Sequence, residues 1–217
     1  MNADAFRAWI TAAAAVIEAN RDHLTQLDAA IGDADHGINL SRGFTAVLAA
    51  LDTAQPATPG AVLTLTGSTL ISKVGGASGP LYGMAFRQAG KSLGDATQVG
   101  LTELSTALEA ALAGVQRLGA AREGDKTMVD ALMPATAALS KGVAEGLAEV
   151  VALTAMADAA RAGAEATIPL LALKGRASYL GSRSVGHEDP GAASTALILT
   201  ALRDAVLAAT PDLQDGP

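Results

Sequence analysis

Asp28, Asp33 and Asp35 lie within eight residues of one another, in the stretch Leu27-Asp-Ala-Ala-Ile-Gly-Asp-Ala-Asp-His-Gly37. Carboxylates this close repel one another, and a cation relieves the repulsion. Gly32 and Gly37 bracket the pair at 33 and 35, as a tight turn would require. Hard oxygen ligands on a turned loop suit magnesium or calcium better than zinc. An exposed acidic loop with no bound ion is the competing reading of these residues alone.

A second stretch, Gly75-Gly-Ala-Ser-Gly-Pro80, precedes a predicted helix start. Free N–H groups there favour an anion, glycines let a phosphate approach the backbone, and Ser78 adds a hydroxyl donor. A turn with an N-cap explains the same residues without a ligand. Lys126, Arg176 and Arg183 are candidate cations for such a site. Arg176, in Lys174-Gly-Arg-Ala-Ser-Tyr179, is the best placed to fork onto phosphate oxygens, although an ordinary surface salt bridge fits its spacing equally. His36, inside the acidic loop, is expected to have a raised pKa and to donate to a phosphate. His23 reads as a surface residue and His187 as a residue that orders its loop. Met128 is either an adaptable contact for a flat base or core.

Two similarities mislead. Gly90-Lys91-Ser92 resembles the end of a P-loop, but Ala85 stands where glycine is required and no strand precedes it. Asp33-Ala-Asp-His-Gly37 has the wrong spacing for an EF-hand, with Phe44 at the position of the closing glutamate. Nor do the helices carry the Glu-x-x-His pairs of a di-metal bundle.

The elements that must position these residues are helical. Half of the 217 residues are hydrophobic but only 3% are aromatic, so the core is chiefly alanine, leucine and valine. With no cysteine, disulfides and thiolate metal sites are excluded. The net charge of -7 argues against a nucleic-acid partner. No apolar run reaches the ~20 residues of a membrane span, and the N-terminus lacks the pattern of a signal peptide, so a cytoplasmic protein is expected.

Periodicity predicts helices at about 3–22, 39–51, 58–73, 78–94, 102–118, 127–147, 154–173 and 192–209. Thr58-Pro59 reads as an N-cap followed by proline at the first helical position, and Ser78-Gly-Pro80 repeats the signal. A left-handed stop is expected at Gly119, and Pro134 and Pro169 lie inside predicted helices. The expected fold is all-α, a single domain over 1–217 built as a barrel or bundle of about eight antiparallel helices, with residues from about 210 to 217 fraying as a tail. The long connection from about 174 to 191 stands out as functional. In an up-and-down bundle alternate connections share an end, so the aspartate loop, 75–80, 123–127 and 174–191 should meet on one rim.

Taken together these stretches resemble the nucleotide-binding L subunit of dihydroxyacetone kinase. The resemblance rests on Leu27 to Asn39, Gly75-Gly-Ala-Ser-Gly-Pro-Leu-Tyr-Gly83, Gly124-Asp-Lys-Thr-Met-Val-Asp-Ala-Leu132, Lys174-Gly-Arg-Ala-Ser-Tyr-Leu-Gly181 and His187-Glu-Asp-Pro-Gly191. It implies a barrel of eight antiparallel helices holding ADP or ATP at one end. Asp28, Asp33 and Asp35 would bind two Mg²⁺. His36, Gly37, Ile38, Asn39, Ala77, Ser78, Gly119, Met128, Arg176, Asp189, Pro190 and Gly191 would contact the nucleotide.

It further implies transfer of the γ-phosphoryl group to dihydroxyacetone held on a separate K subunit, so no nucleophile is expected from this chain. ADP would be rephosphorylated in place by a phosphohistidine protein of the sugar phosphotransferase system. The alternatives are an L subunit of an ATP-dependent kinase for dihydroxyacetone or a related ketose, and a non-catalytic nucleotide-sensing module. A homodimer is compatible with the sequence.

Overall fold

The computed structural model describes residues 1–209; the expected tail over 210–217 lies outside the described residues. Nine α-helices and one 3-10 segment make up the regular structure, and no strand occurs among the described residues. The helices are α1 (Ala3–Ala19), α2 (Arg21–Ile31), α3 (His36–Ala54), α4 (Pro59–Lys73), α5 (Ser78–Leu93), α6 (Leu101–Gly119), α7 (Val129–Ala144), α8 (Glu149–Ala166) and α9 (Pro190–Ala208), with the 3-10 segment at Arg176–Ser184.

Eight of these helices form a closed ring. Neighbours pack in the order α1, α3, α4, α5, α6, α7, α8, α9, and α9 packs back on α1. This is the expected eight-helix barrel. The addition is α2, which branches off after the single residue Asn20 and packs on α3, α9 and the 3-10 segment. The predicted helix over 3–22 is thus two helices, and Asp28 sits on the second rather than on a loop. Its apolar seam, Leu24, Leu27 and Ile31, is short and set among Arg21, Asp22, His23, Thr25 and Gln26, which blunts its periodic signal.

Other boundaries shift for identifiable reasons. Helix α8 stops at Ala166, three residues before Pro169, because a proline N–H is missing and its ring clashes with the preceding turn. Pro134 is accommodated within α7. The carbonyl of Asp130, which Pro134 cannot bond, lies where α8 approaches. A Cβ on Gly163 would come within 2.2 Å of that oxygen. The left-handed stop after α6 falls on Ala120 (φ 46°) rather than Gly119. Thr58 caps α4 through its side chain, as expected, whereas α5 begins at Ser78 itself and has no side-chain cap.

The few aromatic residues fill the middle of the ring. Trp9 lies 5.8 Å from both Phe6 and Phe86, and Phe86 lies 6.4 Å from Phe44. The Trp9 indole N–H donates to the Ile198 carbonyl at 2.9 Å, joining α1 to α9. Helix α9 has a mean hydropathy of 1.3 across most of its length, long and apolar enough on those grounds to cross a membrane. Here its apolar faces are covered by α1, α2, α7 and α8.

The two ends of the ring differ. At one end the Met1 ammonium donates to the Val99 carbonyl at 2.7 Å, which brings the N-terminus beside the α5–α6 connection, and Arg7 donates to the Pro56 carbonyl in the α3–α4 connection. The other end carries the glycine-rich and acidic connections.

Helices α4 and α5 approach backbone to backbone. A Cβ on Gly67 would lie 2.5 Å from the Gly83 carbonyl oxygen, and one on Gly90 would lie 2.6 Å from that of Gly60. Neither neighbour is a flexible side-chain end, so a methyl group forces the helices apart. Gly67→Ala is therefore expected to destabilise the fold by about 2 kcal/mol. Calorimetry should show a melting temperature lower by roughly 4–8 °C.

A candidate phosphate and divalent-cation site at one end of the ring

The four unusual connections converge as the alternation required. Together they enclose a cavity of about 300 Å³. Its wall is formed by the end of α2 with the aspartate loop, by Gly76 to Ser78, by Gly119 to Val129 and by Lys174 to Ala177 with Asp189 to Gly191.

Oxygen atoms of Asp28, Asp33 and Asp35 lie within 4.8 Å of one another. The arrangement is held by the backbone. One carboxylate oxygen of buried Asp28 accepts the N–H of Asp35 at 2.8 Å and that of His36 at 3.2 Å, folding the loop back onto α2. The other lies over Gly32, where a Cβ would come within 2.0 Å of it. Gly32 is thus needed for close approach. The left-handed residue of the turn is Ala34 (φ 60°), and Gly37 sits inside α3 with its Cα against the Arg21 carbonyl. An all-oxygen donor set of three carboxylates, one fixed by two N–H donors, fits a hard divalent cation.

Opposite the aspartates, α5 opens into the cavity. Asn2 and Thr58 cap α1 and α4 at the far end through their side chains, whereas no side chain caps α5, as none caps α6 or α8. Its first N–H groups, with the glycines before them, are of the kind that favours an anion. The Ser78 hydroxyl is turned to His36 instead of its own helix, 3.1 Å from Nδ1.

His36 departs from expectation. Burial lowers its pKa to about 4, and the nearby charge of Asp28 offsets this only in part. The ring is neutral at physiological pH. Its Nε2 lies 2.8 Å from the Ser194 hydroxyl, which itself lies 2.8 Å from the Pro190 carbonyl. With the Ser194 proton on that carbonyl, Nε2–H donates to Ser194 and Nδ1 accepts from Ser78. The network continues to the Tyr82 hydroxyl, 2.7 Å from Ser194 and 2.9 Å from Thr195. His36 therefore links the starts of α3, α5 and α9, and neither ring nitrogen is left for a phosphate. Tyr82, whose hydroxyl burial keeps protonated, escaped the sequence reading. Its only signal was a tyrosine in an aromatic-poor chain.

Of the residues expected around a ligand, His36, Ala77, Ser78, Gly119, Met128, Arg176, Asp189, Pro190 and Gly191 line the cavity, together with the three aspartates. Gly37, Ile38 and Asn39 stand away from its wall. Ile38 points outward and is half exposed, and the Asn39 carboxamide accepts from Arg42 at 2.9 Å. Met128 is buried, and it also lines the cavity. The Arg176 guanidinium reaches across the mouth to Asp33 at 3.0 Å. Arg183 is exposed, as are His23 and His187. Lys126, expected on the rim, turns inward, where its ammonium donates to backbone carbonyls.

The α6–α7 loop is closed on itself by Asp130, which accepts the N–H of Gly124 at 2.6 Å and of Thr127 at 2.7 Å. Asp189 caps α9 by accepting the Ala192 N–H at 2.7 Å. Burial pushes the Asp189 carboxyl up from 3.8 to about 7; the bond from Ala192 and the charge of Lys126 oppose the shift, and Asp130 adds to it.

These features define a class, a ring of helices with a cavity at one end lined by three converging carboxylates and the start of α5. The chain belongs to the DAK2 domain family, whose family model matches residues 30–204. It is 41% identical over 194 residues to the ADP-binding subunit DhaL of the PEP-dependent dihydroxyacetone kinase of Escherichia coli (strain K12), covering 89% of this chain and 92% of that one. It is 44% identical over 190 residues to the ADP-binding subunit of PEP-dependent dihydroxyacetone kinase 2 of Listeria innocua, covering 87% and 88%. Among solved structures it resembles the dihydroxyacetone kinase from C. freundii in complex with AMP-PNP and Mg²⁺, with a TM-score of 0.69 and 31% identity. That match covers 92% of this chain but only 33% of the other.

The raised pKa of Asp189 has a consequence for stability. Unfolded, the group ionises near 3.8; folded, it holds its proton until about 7. Between these values the native state binds more protons, so Asp189 makes the fold less stable as pH rises through the window, and the effect levels off above it. Urea unfolding across this range should show the stability of the parent falling relative to Asp189→Asn. Parallel curves would contradict the assignment.

Proposed function

We propose that this chain is the nucleotide-binding subunit of a dihydroxyacetone kinase. It holds ADP or ATP with Mg²⁺ and passes the γ-phosphoryl group to dihydroxyacetone on a separate K subunit. The observation that carries this reading is the cavity in which three converging carboxylates face the uncapped start of α5. Its likeness along nearly the whole length of free-standing ADP-binding subunits favours the phosphoenolpyruvate-dependent form. In that form a phosphohistidine protein of the phosphotransferase system rephosphorylates ADP in place. The alternative in which ATP exchanges freely has less support, because this chain corresponds to a third of the C. freundii kinase. A cytoplasmic location follows from such a role.

Asp28, Asp33 and Asp35 would hold two Mg²⁺ ions, which when bound neutralise the phosphate oxygens. The backbone of Gly76, Ala77 and Ser78 would receive the terminal phosphates, and Arg176 would supply a forked cation at the mouth. Gly119, Met128 and Leu81 offer an apolar wall for the base, and Asp189, Pro190 and Gly191 close the opposite side. Gly37, Ile38 and Asn39 would act from just outside the wall, through the position of α3. In the transfer a P–O bond from the γ-phosphorus to the bridging oxygen breaks and one to a ketose hydroxyl forms, the hydroxyl proton leaving on the partner side. No nucleophile on this chain takes part.

Denatured preparations should release ADP by mass spectrometry, and the ADP should resist dialysis. Loss of nucleotide within minutes would favour free exchange with ATP. Supplied with a K subunit and a phosphohistidine donor, the chain should support dihydroxyacetone phosphorylation, with Asp33→Ala reducing turnover by about a hundredfold or more. Full activity in that variant would rule out the metal clamp, and nucleotide binding with no phosphorylation under any donor would favour a sensing module.

A further inference from the structure

Lys126 is the largest charged residue in the interior, 1% exposed, and its backbone is left-handed (φ 62°). Its ammonium is surrounded by five backbone carbonyl oxygens: Ser184 at 2.8 Å, Thr167 at 2.9 Å, Leu170 at 3.2 Å, Ile168 at 3.4 Å and His187 at 2.5 Å. No carboxylate lies within ion-pair distance of it among the described residues, although the charge of Asp189 acts on it from further away. Every partner belongs to the connection between α8 and α9.

Three N–H donors shared among five oxygens resemble the carbonyl coordination of a monovalent cation more than a salt bridge. The carbonyls of Thr167 and Ile168 lie just past the end of α8 and also accept the N–H groups of Leu170 and Gly186, and the helix terminus there favours a positive charge. The same connection is knitted by other bonds. Thr167 Oγ1 accepts the Asp189 N–H at 2.9 Å, Ser184 Oγ accepts the Ala172 N–H at 2.9 Å, and the Leu173 N–H donates to the Asp125 carbonyl at 3.0 Å. The 3-10 segment with Arg176 and the cap of α9 with Asp189 both hang from it.

We propose that Lys126 is a positioning residue, a built-in cation whose carbonyl cage fixes the cavity wall carrying Arg176 and Asp189. It acts on the nucleotide through the loop and does not touch the phosphates. The inference rests on the cavity being the nucleotide site, but its structural part is testable without nucleotide.

Lys126→Met keeps the apolar stem and removes the charge. Hydrogen exchange followed by mass spectrometry on the nucleotide-free chain should speed up about ten- to a hundredfold in peptides from 167–187, with α4 to α6 unchanged. ADP affinity should weaken by a similar factor. In Lys126→Ala, n-propylammonium should restore protection of 167–187, while tetramethylammonium, equally charged but without N–H donors, should not. Lys141→Met, on the exposed face of α7, is the control and should leave these readings unchanged.

Parental exchange of 167–187 in Lys126→Met would overturn the proposal. So would uniform loss of protection along the chain with no rescue by the amine. If neither variant folds, selective ¹⁵N labelling of the five lysines decides the point in the parent. One ammonium should show slow solvent exchange at neutral pH, and five fast-exchanging ammoniums would refute the cage. If the parent binds no ADP, the functional reading fails while the exchange result for the loop stands.

Discussion

The bond between the Asp28 carboxylate and the backbone N–H groups of Asp35 and His36 is the interaction on which the site depends. It bends the chain back after α2, sets the first residue of α3 and holds three like charges within reach of one another. It also drives His36 inward, where its two nitrogens meet serines from α5 and α9. One carboxylate thus fixes the mutual placement of three helix starts. Charge repulsion among the aspartates opposes this arrangement, and the N–H donors and nearby helix termini offset it.

Topology explains why anion-friendly groups collect at this end. In an up-and-down ring, α3, α5, α7 and α9 all begin here, and their first residues make up much of the cavity wall. The opposing termini of α2, α6 and α8 are occupied differently. Asp28 lies near the end of α2 with its carboxylate toward the loop, and the carbonyls just past the end of α8 are turned onto Lys126. The cavity therefore faces N–H groups on one side and carboxylates on the other. That polarity suits a phosphate bridged to protein carboxylates by cations.

Much of this was legible in the sequence because the relevant signals are local. Thr58-Pro59 announces α4 through capping, and the apolar period of Phe6, Trp9, Ile10 and Ala13 announces α1. The convergence of four loops follows from counting helices. That count survived the splitting of the first predicted helix because α2 lies off the ring and leaves the alternation intact. Long-range properties could not be read. The pKa of His36 depends on burial by α5 and α9, distant in sequence, and the acidic neighbours visible in the sequence suggested the wrong sign. Lys126 looked like a surface cation because nothing near it reveals that carbonyls some 40 to 60 residues away would surround it. Tyr82 matters through two hydroxyls and a carbonyl of α9, more than a hundred residues away.

The closure of the ring between α1 and α9 has a kinetic meaning. The bond from Trp9 to Ile198 joins residues 189 positions apart, so the chain must give up the entropy of a very long loop before this seam rewards it. A fold rich in contacts of such separation approaches its native state more slowly. Helix α9, which closes this seam, also carries Pro190, Gly191 and Ser194 to the cavity, with Asp189 at its cap. Partly assembled rings would hold the aspartate loop without the wall opposite it. A cavity walled on both sides would then arrive with the docking of α9, in one step.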